Sequence, residues 1–385
     1  MSEPFQPLQG IRVVELSHMV MGPSCGMFLA FLGADVVKVE PPGGDKTRQL
    51  TGMGAGFFPM FNRGKKSVCL DLQSDEGKAD LDKLLKAADV FVENFKDGSL
   101  VKMGLDPDTL RQRYPDLIIA SNKGFLHGPY EHRTAMDEVV QMMTGLAYMT
   151  GPSGRPLRIG SSANDIMAGL FGALSVMGAV LEREKGGAGR SIRIGLFENC
   201  LLLVGQHMVQ HEIEGTESPP MPERSFSWPV YDIFETADGR QLFIGAITSG
   251  HWASLCDILN LTELRDDPSL ESAMDRISAR SRTLPLFTDA VARQDASTLA
   301  AALTASDIPF APVQRPVEMY DDPHVNRPGG LVTTRQSDGS SYRAPGLPLE
   351  VDGMPVAVEN TLSAAGADTE DVMSALEQTT PRKAD

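Results

Sequence analysis

Near its start the chain reads Ile11-Arg-Val-Val-Glu-Leu16-Ser-His-Met-Val-Met-Gly22-Pro23, and from residue 34 it reads Ala34-Asp-Val-Val-Lys-Val-Glu40. The two valine-rich runs are short and apolar, which predicts two β-strands. Gly22-Pro23 begins a segment of apolar and small residues that predicts a helix ending at about Leu32. A strand, a helix and a second strand in this order are typical of a β-α-β unit, whose strands lie parallel in one sheet.

Later segments continue this pattern. Apolar runs at residues 67–72, 89–93 and 117–121 predict further strands, and residues 77–87 predict a helix. Strands that alternate with helices predict a Rossmann-like parallel sheet covered on both faces, which makes the fold class α/β. Ligands bind such sheets at the carboxyl ends of the strands. Those ends are rich in Gly, Pro and polar residues, and they lie at residues 17–23, 41–48, 94–98 and 122–130.

The chain has 385 residues, which exceeds the usual size of one hydrophobic core, so we expect two domains. Residues 212–224 contain Gly, Ser and three prolines and predict a linker. A hairpin signal at Asp238-Gly239 and the helical segments that follow predict a smaller inserted α+β domain over residues 225–315. Residues 1–211 then form the first part of a large domain, and residues 316–385 return to it with a second hairpin and a final helix capped by Asp368.

Composition excludes several classes of protein. A net charge of −16 argues against sequence-independent binding to nucleic acid, which depends on a basic surface. The longest apolar run is shorter than the roughly 20 residues that span a bilayer, so we expect no membrane partner. The first residues show no basic region followed by an apolar one, so we expect a cytoplasmic protein. The four cysteines are isolated from one another, which predicts reduced core thiols without a zinc site.

One local segment is basic although the protein is acidic. Residues 46–66 contain five cationic side chains and no acidic one. Such a segment is suited to hold a small polyanion such as a nucleotide phosphate, because charge complementarity acts locally. A solvated basic loop is the equally common alternative.

Asp165 is the candidate catalytic residue. It stands where the polar stretch Arg158-Ile-Gly-Ser-Ser-Ala-Asn meets a strongly apolar helix that is predicted over residues 166–181. Apolar and small residues occur on every face of that helix, which predicts a buried helix with close backbone packing. A carboxylate at its entrance is favoured in the ionised form by unpaired N–H groups, as a nucleophile requires. The alternative is an ordinary N-cap, for which Asp is a preferred residue.

Other familiar motifs are incomplete. The turn Ser17–Pro23 lacks the GxGxxG of a dinucleotide-binding unit, and Gly64-Lys65-Lys66 lacks the first glycine and the Ser or Thr of a P-loop. His207 and His211 have the spacing of zinc ligands but lack a catalytic glutamate between them. No GxSxG motif occurs, which argues against a serine acyltransferase.

Taken together, several segments resemble the family III CoA transferases over nearly the whole chain. The resemblance rests on Gly22-Pro23, on Leu32 to Glu40, on Asn62-Arg-Gly-Lys-Lys-Ser67 with Leu70-Asp-Leu72, on Val92-Glu-Asn-Phe95, and on Asp165 before its glycine-rich helix. It implies that Asp165 attacks an acyl-CoA to form a mixed anhydride and then an aspartyl-CoA thioester, by covalent catalysis and without a metal or redox cofactor. It also implies a ring-shaped chain in an interlocked homodimer.

The same resemblance implies a set of CoA-binding residues along the carboxyl edge of the sheet. These are Val20, Leu70, Asp71, Leu72, Gln73, Asn94, Phe95, Lys96, Lys102, Thr134, Ala135, Met136 and Asp137. Gly160, Ser161 and Ser162 lie near Asp165 in sequence, but their role as oxyanion donors cannot be read from spacing.

Departures from the family pattern narrow the expected substrate. Val20 stands where the resemblance to formyl-CoA and oxalate transferases requires glutamine, and their glycine-rich loop has no counterpart at residues 224–229. The related 2-methylacyl-CoA racemases have a histidine where this chain has Met136, although His127 and His132 are close in sequence and keep that alternative open.

Residues 127–141, with Arg155-Pro-Leu-Arg158, look most like the subgroup that uses succinyl-CoA and dicarboxylic or branched acids. Arg158 is suited to pair with a distal carboxylate of such an acid. The expected activity is therefore CoA transfer from succinyl-CoA to a small dicarboxylic acid. A non-catalytic acyl-CoA-binding protein is an alternative of a different class.

Overall fold

The computed structural model describes residues 4–223, 228–356 and 360–378. Its contacts divide the chain into two compact units, which are described separately. The large unit comprises residues 1–222 and 323–385, and the small unit comprises residues 223–322.

The first part of the large unit alternates strands and helices. In chain order these are β1 Arg12–Leu16, α1 Met21–Phe31, β2 Asp35–Glu40, α2 Phe57–Phe61, β3 Lys66–Cys69, α3 Asp75–Ala87, β4 Val90–Glu93, α4 Asp97–Met103, α5 Pro107–Arg113, β5 Ile118–Lys123, α6 Asp137–Thr144, α7 Leu146–Thr150, α8 Ala163–Glu184, β6 Ser191–Gly195 and α9 Leu196–Glu214. The six strands are all parallel, in the order β3-β2-β1-β4-β5-β6. The predicted α/β class with a parallel Rossmann-like sheet is confirmed.

Both faces of this sheet are covered, because successive side chains of a strand point to opposite faces. In β1, Val13 packs in a layer with α1 and α8, whereas Val14 packs in a layer with α3, α4 and α5. The strand order reverses direction between β1 and β4, which is the position at which doubly wound sheets open a crevice at their carboxyl edge. The site is therefore expected next to the ends of β1 and β4.

The small unit is built on an antiparallel sheet in the order β7-β8-β9. Its elements are β7 Val230–Glu235, β8 Gln241–Ala246, α10 Ser249–Ile258, α11 Thr262–Arg265, α12 Ala273–Ser278, α13 Arg280–Val291, α14 Ala296–Ala305 and β9 Phe310–Pro312. Trp252 and Phe287 lie fully buried in its core, with their ring centroids 5.2 Å apart.

The chain then returns to the large unit. The returning elements are β10 Leu331–Gln336, β11 Ser341–Pro345, β12 Glu350–Val351, β13 Met354–Pro355, β14 Thr361–Leu362 and α15 Thr369–Gln378. The predicted hairpin at Asp338-Gly339 joins β10 and β11. Asp368 precedes α15, but its carboxylate accepts a hydrogen bond of 2.7 Å from the backbone N–H of Ser67. The return segment thus covers the edge strand β3.

Two boundaries differ from the sequence-based expectation. The predicted linker begins inside a helix, since α9 continues to Glu214 and ends at the left-handed Gly215. The small unit extends to Asp322 instead of ending at residue 315.

The expectation that α8 is buried on every face is wrong for the single chain. Gly169 and Gly172 face α1 at very close range, and a Cβ added at Gly169 would lie 2.7 Å from the carbonyl oxygen of Met21. On another side Leu170, Leu174 and Leu181 are exposed. By length and composition α8 is also apolar enough to cross a membrane, as the core helix of a protein without a membrane span can be, and part of it lies buried against α1.

Candidate active site

Asp165 lies inside the first turn of α8 and does not cap it. The N-cap residue is Ser162, so Asp165 is the third residue of the helix. The interpretation of Asp165 as an ordinary N-cap is therefore wrong. Because the capping position is occupied by another residue, the carboxylate of Asp165 is available for another role.

Close helix packing fixes the position of this turn. A side chain at Gly172 would meet the sulfur of Cys25 at 2.9 Å, so α8 can approach α1 only where both glycines are present. Ile166, next to Asp165, packs against a small apolar cluster that includes Val20, at the start of α1. The first turn of α8 and the loop after β1 therefore converge.

Asp137 is the second carboxylate of the site. It begins α6 and is buried, and its Oδ2 accepts a hydrogen bond of 2.8 Å from the amide of Gln141. Burial raises the pKa of Asp137, while the amide of Gln141, the charge of Arg158 and, to a smaller extent, the amide of Asn164 and the backbone N–H of Asp165 act to lower it. Asp137 therefore lies close to the first turn of α8.

Two asparagines hold this arrangement together. Asn164 is fully buried and donates to the carbonyl oxygen of Leu196 at 3.3 Å. The amide of Asn199 donates to the backbone oxygen of Asn164 at 3.0 Å and to its side-chain oxygen at 2.5 Å. Since Asn199 belongs to α9, these bonds tie the first turn of α8 to the neighbouring helix.

The electrostatics of Asp165 differ from the expectation of a fully ionised carboxylate. Burial and then the charge of Asp137 raise the pKa of Asp165 to about 7, and Arg158 acts in the opposite direction. Asp165 therefore holds its proton to a higher pH than an ordinary aspartate does. A carboxylate with a raised pKa is more basic, and hence a stronger nucleophile once it is ionised.

Arg158 lies within electrostatic range of both aspartates. Its guanidinium contacts the carboxylate of Glu138 and donates to the carbonyl oxygen of Ile159 at 3.1 Å. The side chain is partly exposed, so it remains accessible to a solvent-borne carboxylate. Arg158 is the cationic side chain placed beside the two carboxylates.

The ends of β1 and β4 meet as predicted for the crevice. Asn94 accepts from the N–H of His18 at 3.0 Å and donates to its carbonyl oxygen at 2.8 Å. The ring of His18 lies edge-on to Phe95, with centroids 5.2 Å apart. The sequence analysis missed His18, although its position at the end of the first strand was a usable signal.

The other predicted CoA-binding residues are distributed along this edge. Lys96 approaches Thr134, with Nζ 3.3 Å from Oγ1, and Ala135 lies against Gly124. Leu72 lines a cavity of about 210 Å³ together with Lys78 and Met103. Val20 and Leu70 are buried, whereas the exposed members are Asp71, Gln73, Lys96, Lys102, Thr134 and Met136. CoA contact by this set remains a prediction.

The basic segment is not an open phosphate cradle. Arg48 pairs with Glu40 through two hydrogen bonds of 2.7 and 2.6 Å, and Lys65 pairs with Glu15 at 2.7 Å. Arg63 is buried and donates to backbone oxygens at Met60 and Pro345. Acidic partners from neighbouring strands and buried carbonyl groups therefore take up most of its charge, which a local charge count could not show.

The structure also locates the cysteines, the two histidines near Met136 and the potential metal ligands. All four cysteines are free, although Cys69 is only partly buried. His127 and His132 both face Glu131 on an exposed loop, at 2.9 and 3.2 Å. The described residues include no group of three potential metal ligands. Residues 224–227, which belong to the segment compared with the glycine-rich loop of the oxalate transferases, lie outside the described residues.

The fold and the site together define a doubly wound α/β protein in which Asp165, a carboxyl group with a raised pKa, lies near the loop that follows β1. The model of CoA-transferase family III matches residues 8–369, and the chain belongs to that family. It is 33% identical over 375 residues to succinyl-CoA:mesaconate CoA-transferase of Haloarcula hispanica, covering 93% of this chain and 92% of the relative.

Further relatives give the same result. Succinate–glutarate CoA-transferase of Agrobacterium fabrum is 30% identical over 384 residues, covering 96% of each chain. The crystal structure of a CaiB/BaiF family protein from Brucella suis superposes with a TM-score of 0.88 at 28% identity, covering 97% of this chain and all of that one. The predicted family is confirmed, and the protein is a family III CoA transferase.

Proposed function

We propose that this protein transfers CoA from succinyl-CoA to a small dicarboxylic acid. The observation that carries the proposal is Asp165, held in the first turn of α8 beside Asp137 and Arg158, in a chain of this family. The names of the succinyl-CoA:mesaconate and succinate–glutarate relatives support the donor and the class of acceptor.

The reaction consists of two acyl-transfer steps on Asp165 with succinyl-CoA, followed by the same two steps in reverse with the acceptor acid. A carboxylate oxygen of Asp165 attacks the thioester carbonyl of succinyl-CoA, which forms a mixed anhydride and expels CoA thiolate. The thiolate attacks the aspartyl carbonyl of the anhydride, which releases succinate and leaves an aspartyl-CoA thioester. The acceptor carboxylate attacks that thioester, which forms a second anhydride and expels CoA thiolate. This thiolate then attacks the acceptor's acyl carbonyl, which forms the acceptor's CoA ester and releases the ionised Asp165.

The surrounding groups have separate parts in this scheme. Asp137 keeps Asp165 basic, which strengthens attack on the thioester. Arg158 offers a guanidinium to the carboxylate of the acid that does not react, since arginine binds carboxylates through paired hydrogen bonds. The scheme requires no metal or redox cofactor, because every step is an acyl transfer between carboxylate and thiolate.

CoA would lie along the carboxyl edge of the sheet, from Leu72, past Asn94 and Lys96, to the loop before Asp137. Exposed cations along this edge, such as Lys96 and Lys102, are suited to the CoA phosphates. The thiol-bearing arm of CoA would extend through the crevice between the ends of β1 and β4 toward α8.

The protein would act as an interlocked homodimer. Two neighbouring helices of the large unit expose apolar stripes, which consist of Leu170, Leu174 and Leu181 on α8 and of Leu202, Val209 and Ile213 on α9. Contiguous apolar surface of this kind is rare on monomers and is covered efficiently by a second copy of the chain. Burial against that copy also explains the apolar composition of α8 without a membrane, as expected for a cytoplasmic enzyme.

The decisive experiment is intact-mass analysis of the protein after incubation with succinyl-CoA. We expect a covalent adduct with the mass of CoA less water, absent in Asp165→Ala, and conversion of added dicarboxylic acids to their CoA esters. Wild-type protein that stays unmodified with a broad panel of acyl-CoA donors would sink the proposal. Tight CoA binding without any adduct would favour a non-catalytic binding protein, and deuterium uptake at C2 of 2-methylacyl-CoA would favour a racemase.

A further inference from the structure

Five buried residues surround the loop segment Ser17–Pro23, which consists of the loop after β1 and the first three residues of α1 and lies at the switch point of the sheet. We call this set the loop brace, and it consists of Glu15, Lys38, Asp45, Thr47 and Lys65. Each is at most 7% exposed. Such buried polar groups are retained only where they are paired, and these are paired with one another and with the loop.

The loop brace holds both ends of the loop. Lys38 Nζ donates to the carbonyl oxygen of Ser17 at 2.7 Å, and Lys65 Nζ donates to that of Pro23 at 2.8 Å. Glu15 lies between the two lysines, at 3.4 Å from Lys38 and 2.7 Å from Lys65. Two buried carboxylates, Glu15 between the lysines and Asp45 beside Lys38, therefore balance the two cations that fix the loop ends.

The middle of the loop is held by Thr47. Its Oγ1 accepts the N–H of Met19 at 3.2 Å and donates to Asp45 Oδ1 at 2.8 Å, and Asp45 in turn lies 3.2 Å from Lys38 Nζ. The N–H that Thr47 accepts belongs to a strained residue, because the φ of 64° at Met19 lies in the left-handed region. Methionine has no short polar side chain to support the left-handed conformation, so the surroundings must impose it.

The two lysines cannot also bind a phosphate. An ammonium group has three N–H donors. Lys38 directs its donors to Ser17, Glu15 and Asp45. Lys65 directs its donors to Pro23, Asn62 and Glu15. Their effect on a ligand must therefore act through the loop, whose His18 and Met19 are exposed.

We propose that the loop brace consists of positioning residues that set the backbone of Ser17–Pro23 in the shape that binds CoA, with Thr47 as the link to Met19. The inference rests on the proposed function, because it assigns CoA to this edge of the sheet. None of the five residues touches the reacting atoms, so their loss weakens CoA binding before it slows the chemistry.

The test compares Thr47→Val with Thr47→Ser. Valine has the shape of threonine but leaves the N–H of Met19 without an acceptor, whereas serine keeps the hydroxyl. We expect the Kd for CoA, measured by calorimetry, to rise about tenfold in Thr47→Val and to stay within about twofold of wild type in Thr47→Ser. The kcat at saturating succinyl-CoA should change far less than Kd in both variants.

Hydrogen exchange of the free protein gives an independent readout. Amides of residues 17–23 should exchange faster in Thr47→Val than in wild type or Thr47→Ser. If Thr47→Val does not fold, Asp45→Asn, which places an amide against Lys38, should show the same changes.

An unchanged Kd for CoA together with unchanged hydrogen exchange in folded Thr47→Val would overturn the proposal. An equal loss of CoA affinity in Thr47→Ser would overturn it as well. Failure of the wild type to bind CoA would instead overturn the proposed function, and the exchange comparison would still decide whether the loop brace sets the loop.

Discussion

The carboxylate of Asp137 lies close enough to Asp165 for its negative charge to raise the pKa of Asp165, in addition to the effect of burial. Two like charges in one partly enclosed site oppose each other's ionisation, so the pair titrates as a coupled system. Arg158 partly offsets this repulsion. Burial thus sets most of the raised pKa of Asp165, and a residue from a different helix raises it further.

The first prediction concerns the pH dependence of CoA transfer. Only ionised Asp165 attacks the thioester, so kcat/KM for succinyl-CoA should fall as pH is lowered through about 7 and level off above it. Asp137→Asn removes the repelling charge and should shift this transition to lower pH. The measurement is a pH–rate profile of each protein. Asp289→Asn, an exposed change in the small unit, is the control and should leave the profile in place.

The second prediction concerns stability. The folded pKa of Asp165 lies above its ordinary value, so the folded state holds the proton more tightly and this group costs stability as pH rises from about 4 to 7. Asp165→Asn mimics the neutral form and should raise Tm relative to wild type by at least about 2 °C at pH 8. The difference should shrink toward pH 4 in thermal melts. A difference that is the same at both pH values would contradict the raised pKa.

Much of the fold follows from local sequence. The valine-rich runs around Val13 and Val36 predict strands, and the helix between them forces a parallel pairing, so the sheet could be anticipated without any structure. Asp165 could be found because it stands between a polar stretch and a strongly apolar helix, and because its position matches the resemblance to the family. Both signals lie within a few residues of the chain.

What could not be predicted depends on distant contacts. Glu15 lies in an apolar run and carries no sign that it pairs with Lys38 and Lys65, so the sequence could not show that the charge of Lys65 is taken up inside the protein. The raised pKa of Asp165 depends on Asp137, which the sequence analysis assigned only to CoA. Periodicity could not show which side of α8 is buried in its own chain, because a helix face looks equally apolar whether its own chain or another one covers it.

The third prediction concerns the acceptor acid. If Arg158 binds the unreactive carboxylate of a dicarboxylic acid, Arg158→Gln should raise the KM for dicarboxylic acceptors by about tenfold or more, as loss of a charged hydrogen bond does. The KM for a monocarboxylic acid of similar length should change little. The measurement is CoA-ester formation from matched pairs of acids. An equal rise for both classes would contradict a role in selecting the distal carboxylate.

The fourth prediction concerns the packing that positions Asp165. Gly169→Ala places a methyl group against the backbone of α1 and should destabilise the large unit by about 1–3 kcal/mol, since the helix backbone cannot yield easily. Gly178→Ala is the matched control in the same helix, because its added methyl group meets no atom within 4 Å. It should stabilise by about 0.5–1 kcal/mol through helix propensity. Urea unfolding of both variants measures the difference, and similar losses in both would contradict the packing argument.

The fifth prediction concerns assembly through the exposed stripes of α8 and α9. Leu174 is 59% exposed and Ile213 is 78% exposed in the single chain, so a dimer that covers both should be lost or strongly weakened in Leu174→Glu with Ile213→Glu. Met274→Glu in the small unit is an equally exposed control that should stay dimeric. Light scattering measures the oligomeric state of each variant.

A separate experiment tests whether the two chains are interlocked. If they are, tagged and untagged wild-type dimers that are mixed under native conditions should form no mixed dimer, because exchange of chains requires one ring to open. Rapid formation of mixed dimers would contradict interlocking, although it would agree with a dimer whose chains are not threaded through each other.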